Sequence, residues 1–128
     1  MSRKKKIIIA TLSVFLVLIL GLFIMSRLRG ASEGEFHGTL TLAFEDHDFQ
    51  PDKSLEHWWL EDNEIFRETI HKDLSGRKVN WDVERPCYRI KLYGRLSSIG
   101  RHGHFGMWRR SLTIERMIEY EYVGNKPL

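Results

Sequence analysis

The longest uninterrupted pattern in the chain is apolar. Ile7 to Met25 runs for 19 residues without a charge, broken only by Thr11, Ser13 and Gly21. As a helix rising ~1.5 Å per residue it spans ~28 Å, close to the ~30 Å hydrocarbon core of a bilayer. From Phe36 the period changes to two: Phe36, Leu40, Leu42 and Phe44 share one parity, and His37, Thr39, Thr41 and Ala43 the other. That alternation predicts a half-buried strand. EDHDFQPDK has four acids, a proline and no period, and reads as an exposed loop; SLEHWWL resumes as a strand.

In NEIFRETIHKDLSG, Ile65, Phe66, Ile70 and Leu74 recur at helical spacing. Asp62 or Asn63 supplies an N-cap and Ser75-Gly76 a stop, so one short helix is predicted. VNWDV and CYRIKLYGRL read as strand, SSIGRHGHFG as a glycine-rich connection, and Met107 to Val123 as a long strand. Trp108, Leu112, Ile114, Ile118, Tyr120 and Tyr122 share one parity there, while Arg110, Arg116 and Met117 break the alternation, which predicts a bulge or sharp twist.

The resulting division is a basic N-terminus (1–6), a membrane-spanning segment (7–25), a linker (26–34), a small β domain (35–123) and a C-terminal tail (124–128). The class is mainly β (α+β). The order of strands and helix suggests a small antiparallel, OB-like β-barrel with the helix plugging one end. An open sheet with the helix on one face, or another small barrel, satisfies the same order.

Charge orients the apolar segment. Arg3, Lys4, Lys5 and Lys6 precede it, against Arg27 and Arg29 after it, and the richer side stays cytoplasmic. A secretory signal peptide competes, but its apolar core runs only ~7 to 15 residues. The nearest small-x-small site, Gly30-Ala31-Ser32, is set back behind both arginines. The segment therefore reads as an uncleaved signal-anchor of a bacterial inner membrane, with the domain periplasmic or otherwise extracytoplasmic. The single Cys87 fits an exported domain without an internal disulfide and reads as a buried small hydrophobe.

The whole-chain charge of +3 is misleading. From Glu33 onward there are 14 Lys and Arg against 17 Asp and Glu, so the domain is slightly acidic and is no polycation for DNA. Glu33 to Asp73 holds 12 acids and 3 bases, while Leu74 to Leu128 holds 5 acids and 11 bases. The two halves are expected to pair with each other across one fold.

Little catalytic chemistry is written in the chain. His102 and His104 are the most metal-like pair, but a third ligand is missing and no HExxH or paired CxxC is present. Asp46-His47-Asp48 reads as a solvated loop. There is no GxSxG elbow, GxGxxG or P-loop, so no cofactor is expected, and the chain is read as a non-enzyme. Binding is the better expectation. Trp58 and Trp59 must point to opposite faces of a strand, so at most one is core and the other needs a cover or a ligand. Arg101, Arg109 and Arg110 near Trp108 make a basic, aromatic-edged patch that would suit single-stranded nucleic acid in the cytoplasm. Export removes nucleic acid as a partner and leaves anionic head groups, an acidic glycan or a protein.

Phe49 and Pro51, then Trp58, Trp59 and Leu60, then Gly100, Gly103, His104 and Gly106 carry a resemblance to small bacterial membrane-anchored envelope proteins with F-x-P, WWL and GxxGxxGHxG signatures and no established function. Members often carry a cysteine after the F-x-P proline where this chain has Asp52, so neither a shared disulfide nor a shared ligand is carried over. The likeness implies an envelope location and a small β shape. Three functions follow as expectations: a binding or accessory module of an envelope assembly with a protein partner, an immunity or inhibitor protein against an envelope-acting toxin or lysin, and, furthest from the pattern, a metal-dependent enzyme using His102 and His104.

Overall fold

The computed structural model describes residues 1–127, without the side chains of 26–29. It divides into two units, Met1–Gly30 and Ala31–Leu128. The first is helix α1, Arg3–Arg29, capped by Ser2, whose Oγ accepts from the Lys5 amide at 3.3 Å. Thr11 and Ser13 donate to the carbonyls of Ile7 and Ile9 four residues back, both at 2.9 Å, which satisfies the only two hydroxyls inside the apolar run. Arg3–Met25, with a mean hydropathy of 3.1, is long and apolar enough to cross a membrane.

The linker is shorter than the sequence pattern suggests. Residues 26–29 continue α1, because Arg and Leu are good helix formers and nothing there stops the helix. Strand β1, Ser32–Leu42, already includes Ser32, Glu33 and Gly34, which pair with Leu96, Arg95 and Gly94. Gly30 and Ala31 alone connect the two elements.

The second unit is mostly β. Beyond β1 it holds β2 (His47–Pro51), β3 (Trp58–Leu60), a helix α2 over residues 64–75, β4 (Glu84–Leu96) and β5 (Ser111–Pro127). The strands are hydrogen-bonded in the order β1-β2-β3-β5-β4, and β4 returns to β1, so the ladders form a closed ring. Every pairing is antiparallel except β3 with β5, which is parallel through Trp59↔Ser111 and Leu60↔Leu112. Curling β1 hard enough to reach both neighbours brings Gly38 against β2, where a Cβ would overlap the Gln50 carbonyl oxygen; only glycine fits.

Inside the ring lie Leu40, Leu42, Phe49, Trp58, Leu60, Tyr88, Ile90, Leu92, Leu96, Leu112 and Ile114. Helix α2 adds Phe66 and Ile70, its two buried positions. Asn63 sets where α2 starts: its Oδ1 accepts from the Phe66 amide at 3.0 Å, while its Nδ2 donates to the Ile114 carbonyl at 2.8 Å and ties the cap to β5. The helix is not uniform. It is α-helical at Glu64–Phe66, π-helical at Arg67–His71 and α-helical again at Lys72–Ser75.

Several local expectations are corrected. The acid-rich segment predicted as a loop contains β2, because its one inward residue, Phe49, is enough to anchor five residues already hydrogen-bonded on both sides. VNWDV is a turn rather than a strand. Phe44 lies beyond the end of β1 and is 80% exposed. β5 begins at Ser111, which leaves Trp108 in the preceding loop, and continues to Pro127 through most of the predicted tail. The predicted irregularity is present: the β4–β5 register shifts three times, skipping Val123, Ile118 and Glu115 on β5. Those extra residues turn Met117 toward the core in place of Ile118.

The charge halves do pair. Lys91 reaches Glu35 at 3.3 Å and Arg89 reaches Asp52 at 2.6 Å across the sheet, while Arg77 reaches Asp73 at 3.0 Å only four residues back along the chain.

Candidate functional site

Strands β2 and β3 divide their side chains between the two faces of the sheet. The register Phe49↔Trp58 turns both rings into the core, where Trp58 meets Phe36 edge-on at 5.6 Å and lies over Phe49 at 6.0 Å. The neighbouring pair Asp48↔Trp59 takes the opposite face. One tryptophan is core and one is not, as the strand period requires.

Trp59 has a cover. His47 stacks on it at 5.1 Å and 12°, and Trp108 meets it edge-on at 5.0 Å. The glycine-rich loop 97–110 folds across it: Gly103 lies so close that a Cβ there would come within 2.6 Å of Trp59 Cδ2. The loop keeps its shape through its own backbone. Gly100 N–H donates to the Arg109 carbonyl at 2.8 Å, and His102 and Trp108 exchange bonds at 2.9 and 3.1 Å.

Asp48 is the polar centre of this face. One carboxylate oxygen accepts from Trp108 Nε1 at 3.0 Å and the other from His57 Nδ1 at 2.7 Å. His47 lies on the far side of Trp59, sandwiched against Phe66 at 4.5 Å, with Nδ1 bonded to the Leu60 carbonyl at 3.2 Å. Burial pushes its imidazole pKa down, against the opposite pull of that carbonyl and of Asp62, Asp46 and Glu61. The Asp46-His47-Asp48 segment is therefore no solvated loop: two of its three side chains are built into the aromatic face.

Of the six residues singled out for partner binding, four line one cavity of about 440 Å³: Trp58, Trp108, Arg109 and Arg110. Asp48, Leu55, Glu56, His57 and Met107 complete its wall. Trp59 supports it from behind Trp108. Arg101 is exposed and away from the lining, its stem next to Gly106. Arg110 Nη1 donates to the Ser97 carbonyl at 3.3 Å. Trp58 brings a further property: its Nε1 is buried and has no hydrogen-bond partner among the described residues. A buried donor without an acceptor costs about 1–3 kcal/mol.

His102 and His104 do not converge. His102 Nε2 meets Ser97 Oγ and the Ser98 carbonyl, both at 3.1 Å, while His104 pairs with Glu45 at 3.1 Å. Among the described residues no group of three or more His, Cys, Asp or Glu side chains could hold a metal ion. A larger groove, about 580 Å³, lies on the outer face of β4 and β5, lined by His37, Arg89, Ile90, Lys91, Glu119, Tyr120 and Glu121. Arg89 lies opposite Glu121 and Lys91 opposite Glu119 across the β4–β5 ladder, while their ion pairs are made to Asp52 and Glu35 on the other side.

Sequence reasoning missed Asp48, His57, Leu55 and Met107, whose meeting depends on the β2–β3 register and on the fold of the loop. Comparison with protein-family models, curated proteins and solved structures finds no match for this chain.

Proposed function

We propose that this chain is a single-pass membrane protein of the bacterial envelope, with its N-terminus cytoplasmic, whose extracytoplasmic β domain is an OB-like barrel acting as a binding or accessory module. The cavity at Trp58, Trp108, Arg109 and Arg110 is its binding site. The observation that carries this reading is the convergence itself. Aromatic surface from Trp108 and the cationic side chains of Arg109 and Arg110 meet at one concave place, and concave sites where such groups converge are where ligands bind.

Topology supports the OB reading. The ring order, the single parallel pair β3/β5 and a helix between β3 and β4 are all features of that architecture. OB folds bind ligands on the face of strands 2 and 3 and with the loop joining strands 4 and 5; the cavity draws Asp48 and Trp58 from β2 and β3 and Met107 to Arg110 from the β4–β5 loop, and adds Leu55, Glu56 and His57 from the β2–β3 connection. The charge asymmetry around α1 supports the orientation.

Photo-crosslinking tests the site. A photoreactive residue replacing the exposed Met107, on the cavity rim, should form a reproducible adduct in native membranes, and the same residue at the exposed Glu121 should not. Equal yields at both positions would refute the assignment of the binding site.

A further inference from the structure

We infer that a second cavity, between the end of β1, the turn after it and helix α2, takes a small neutral aromatic molecule that carries one O–H or N–H donor, a phenol being the simplest. The inference stands apart from the cavity at Trp58 and from the membrane reading.

This cavity holds about 200 Å³, and its main walls are Leu42, Phe44, His47, Phe66, Leu74 and Trp81. The irregular helix gives it its shape. Phe66 and His71 are five residues apart, about 140° around an ordinary α-helix. In the π-helical stretch Arg67–His71 the Lys72 N–H reaches back to the Arg67 carbonyl, and the wider turn brings both Phe66 and His71 to the cavity. Thr69 sits in that stretch, and its Oγ1 donates to the Ile65 carbonyl at 2.6 Å, a bond that competes with the ladder of the helix. Such turns are rare and gather at functional sites. The opposite wall is equally fixed. Leu42 belongs to the core, and Ala43 N–H donates to the Asp46 carbonyl at 2.9 Å, closing the turn that carries Phe44. Phe44, 80% exposed, stands at the cavity as a bare ring.

The lining selects the ligand. Phe44, Phe66 and Trp81 present rings from three different segments, and no acid, lysine or arginine lines the cavity, so it suits a neutral aromatic body and not an ion. An apolar cavity of about 150 Å³ takes a benzene, so this one has room for a single substituted ring. One polar atom is left over. His47 Nδ1 meets the Leu60 carbonyl at 3.2 Å, and a carbonyl only accepts, so Nδ1 carries the proton. Burial favours the neutral imidazole, which leaves Nε2 with its lone pair. Trp59 and Phe66 hold the ring from its two faces, so the orientation of that acceptor is set in advance. A ligand O–H or N–H supplies the donor that the described residues do not.

Nuclear magnetic resonance of the nitrogen-labelled full chain in neutral detergent micelles tests this with p-cresol and toluene, the same ring with and without a hydroxyl. Both should shift the Ala43 and Phe66 amides saturably, and p-cresol alone should move the His47 Nε2 resonance. His47→Phe keeps a ring between Trp59 and Phe66 and removes the acceptor. The preference for p-cresol over toluene should then fall by about two- to tenfold, the worth of one neutral hydrogen bond. Uptake into the micelles is the same for both proteins and cancels. Ala43→Leu, which adds bulk at the wall, should abolish both sets of shifts. Unchanged hydrogen exchange in 84–96 shows that each variant is folded. Absence of saturable shifts, a preference unchanged in His47→Phe, or binding that survives Ala43→Leu overturns the proposal. So do shifts concentrated in 97–110, which would put the ligand in the cavity at Trp58, or tighter binding of a tyrosine-containing tripeptide than of p-cresol, which would make the occupant a side chain of a protein partner.

Discussion

Gly103 is the point at which the loop depends most sharply on having no side chain. It sits at φ +73° and ψ −165°, a region open to glycine and almost closed to other residues. A Cβ there would lie 2.6 Å from both Cδ2 and Cε3 of Trp59 and 2.9 Å from Cε3 of Trp108, and both indoles are pinned by neighbours. In Gly103→Ala the backbone strain alone is about 1–3 kcal/mol. The loop can escape the overlap only by lifting off Trp59, which gives up an aromatic contact of about 0.5–1.5 kcal/mol and part of the cover on the ring. The expected loss is about 2–4 kcal/mol, within the range of special-backbone substitutions. Urea unfolding of the full chain in detergent, followed by tryptophan emission, measures it. Hydrogen exchange at the His102 and Trp108 amides shows whether the loop has peeled away. Gly34→Ala is the control, since nothing lies within 4 Å of a Cβ there, and it should stay within about 0.5 kcal/mol. A Gly103→Ala variant as stable as that control, with both amides equally protected, would refute the packing argument.

Folding lowers the pKa of His47, so as pH falls below the ordinary histidine value of 6.5 the unfolded chain takes a proton before the folded one does. Stability should therefore decline from pH 7 to pH 5, and His47→Gln should flatten part of that slope in denaturation curves taken across the range. Asn63→Ala loses both the cap on α2 and the bond to Ile114, for about 1–3 kcal/mol, whereas Asn63→Ser keeps a capping oxygen and should recover about half; thermal melts distinguish the two. Asp52→Ala removes an exposed partner of Arg89 and should change unfolding free energy by less than about 1 kcal/mol, a difference that shrinks further in high salt.

Elements with an internal period were legible in the sequence. The apolar run became α1, the spacing of Phe66 and Ile70 became α2, and the broken parity around Met117 became the β5 bulges. Elements held by their neighbours were not. β2 carries a single buried side chain and β3 is three residues long, so neither has enough alternation to stand out; their hydrogen bonds come from β1 and β5. For the site, Trp58, Trp108, Arg109 and Arg110 could be picked by residue type. Their partners Asp48 and His57 could not, because nine residues of sequence separate them and a turn and a register bring them together. Arg101 has the same type as Arg109 and is placed elsewhere by the loop.

Three residues close the ring. β3 is joined to β2 through Trp58 and Trp59 and to β5 through Trp59 and Leu60, and it is the narrowest seam in the sheet. If the β3–β5 ladder parted, an open five-stranded sheet would remain, with β3 and β5 as bare edges ready to pair with another chain. The cavity wall runs across the same seam, with Trp58 on one side and Arg109 and Arg110 on the other. If the proposed binding site is occupied, a ligand held there would clamp the two sides together, and occupancy and closure of the domain would become one equilibrium. Protection of the Trp59 and Glu61 amides, which donate across the seam to Arg110 and Leu112, would then report occupancy of the cavity from inside the sheet.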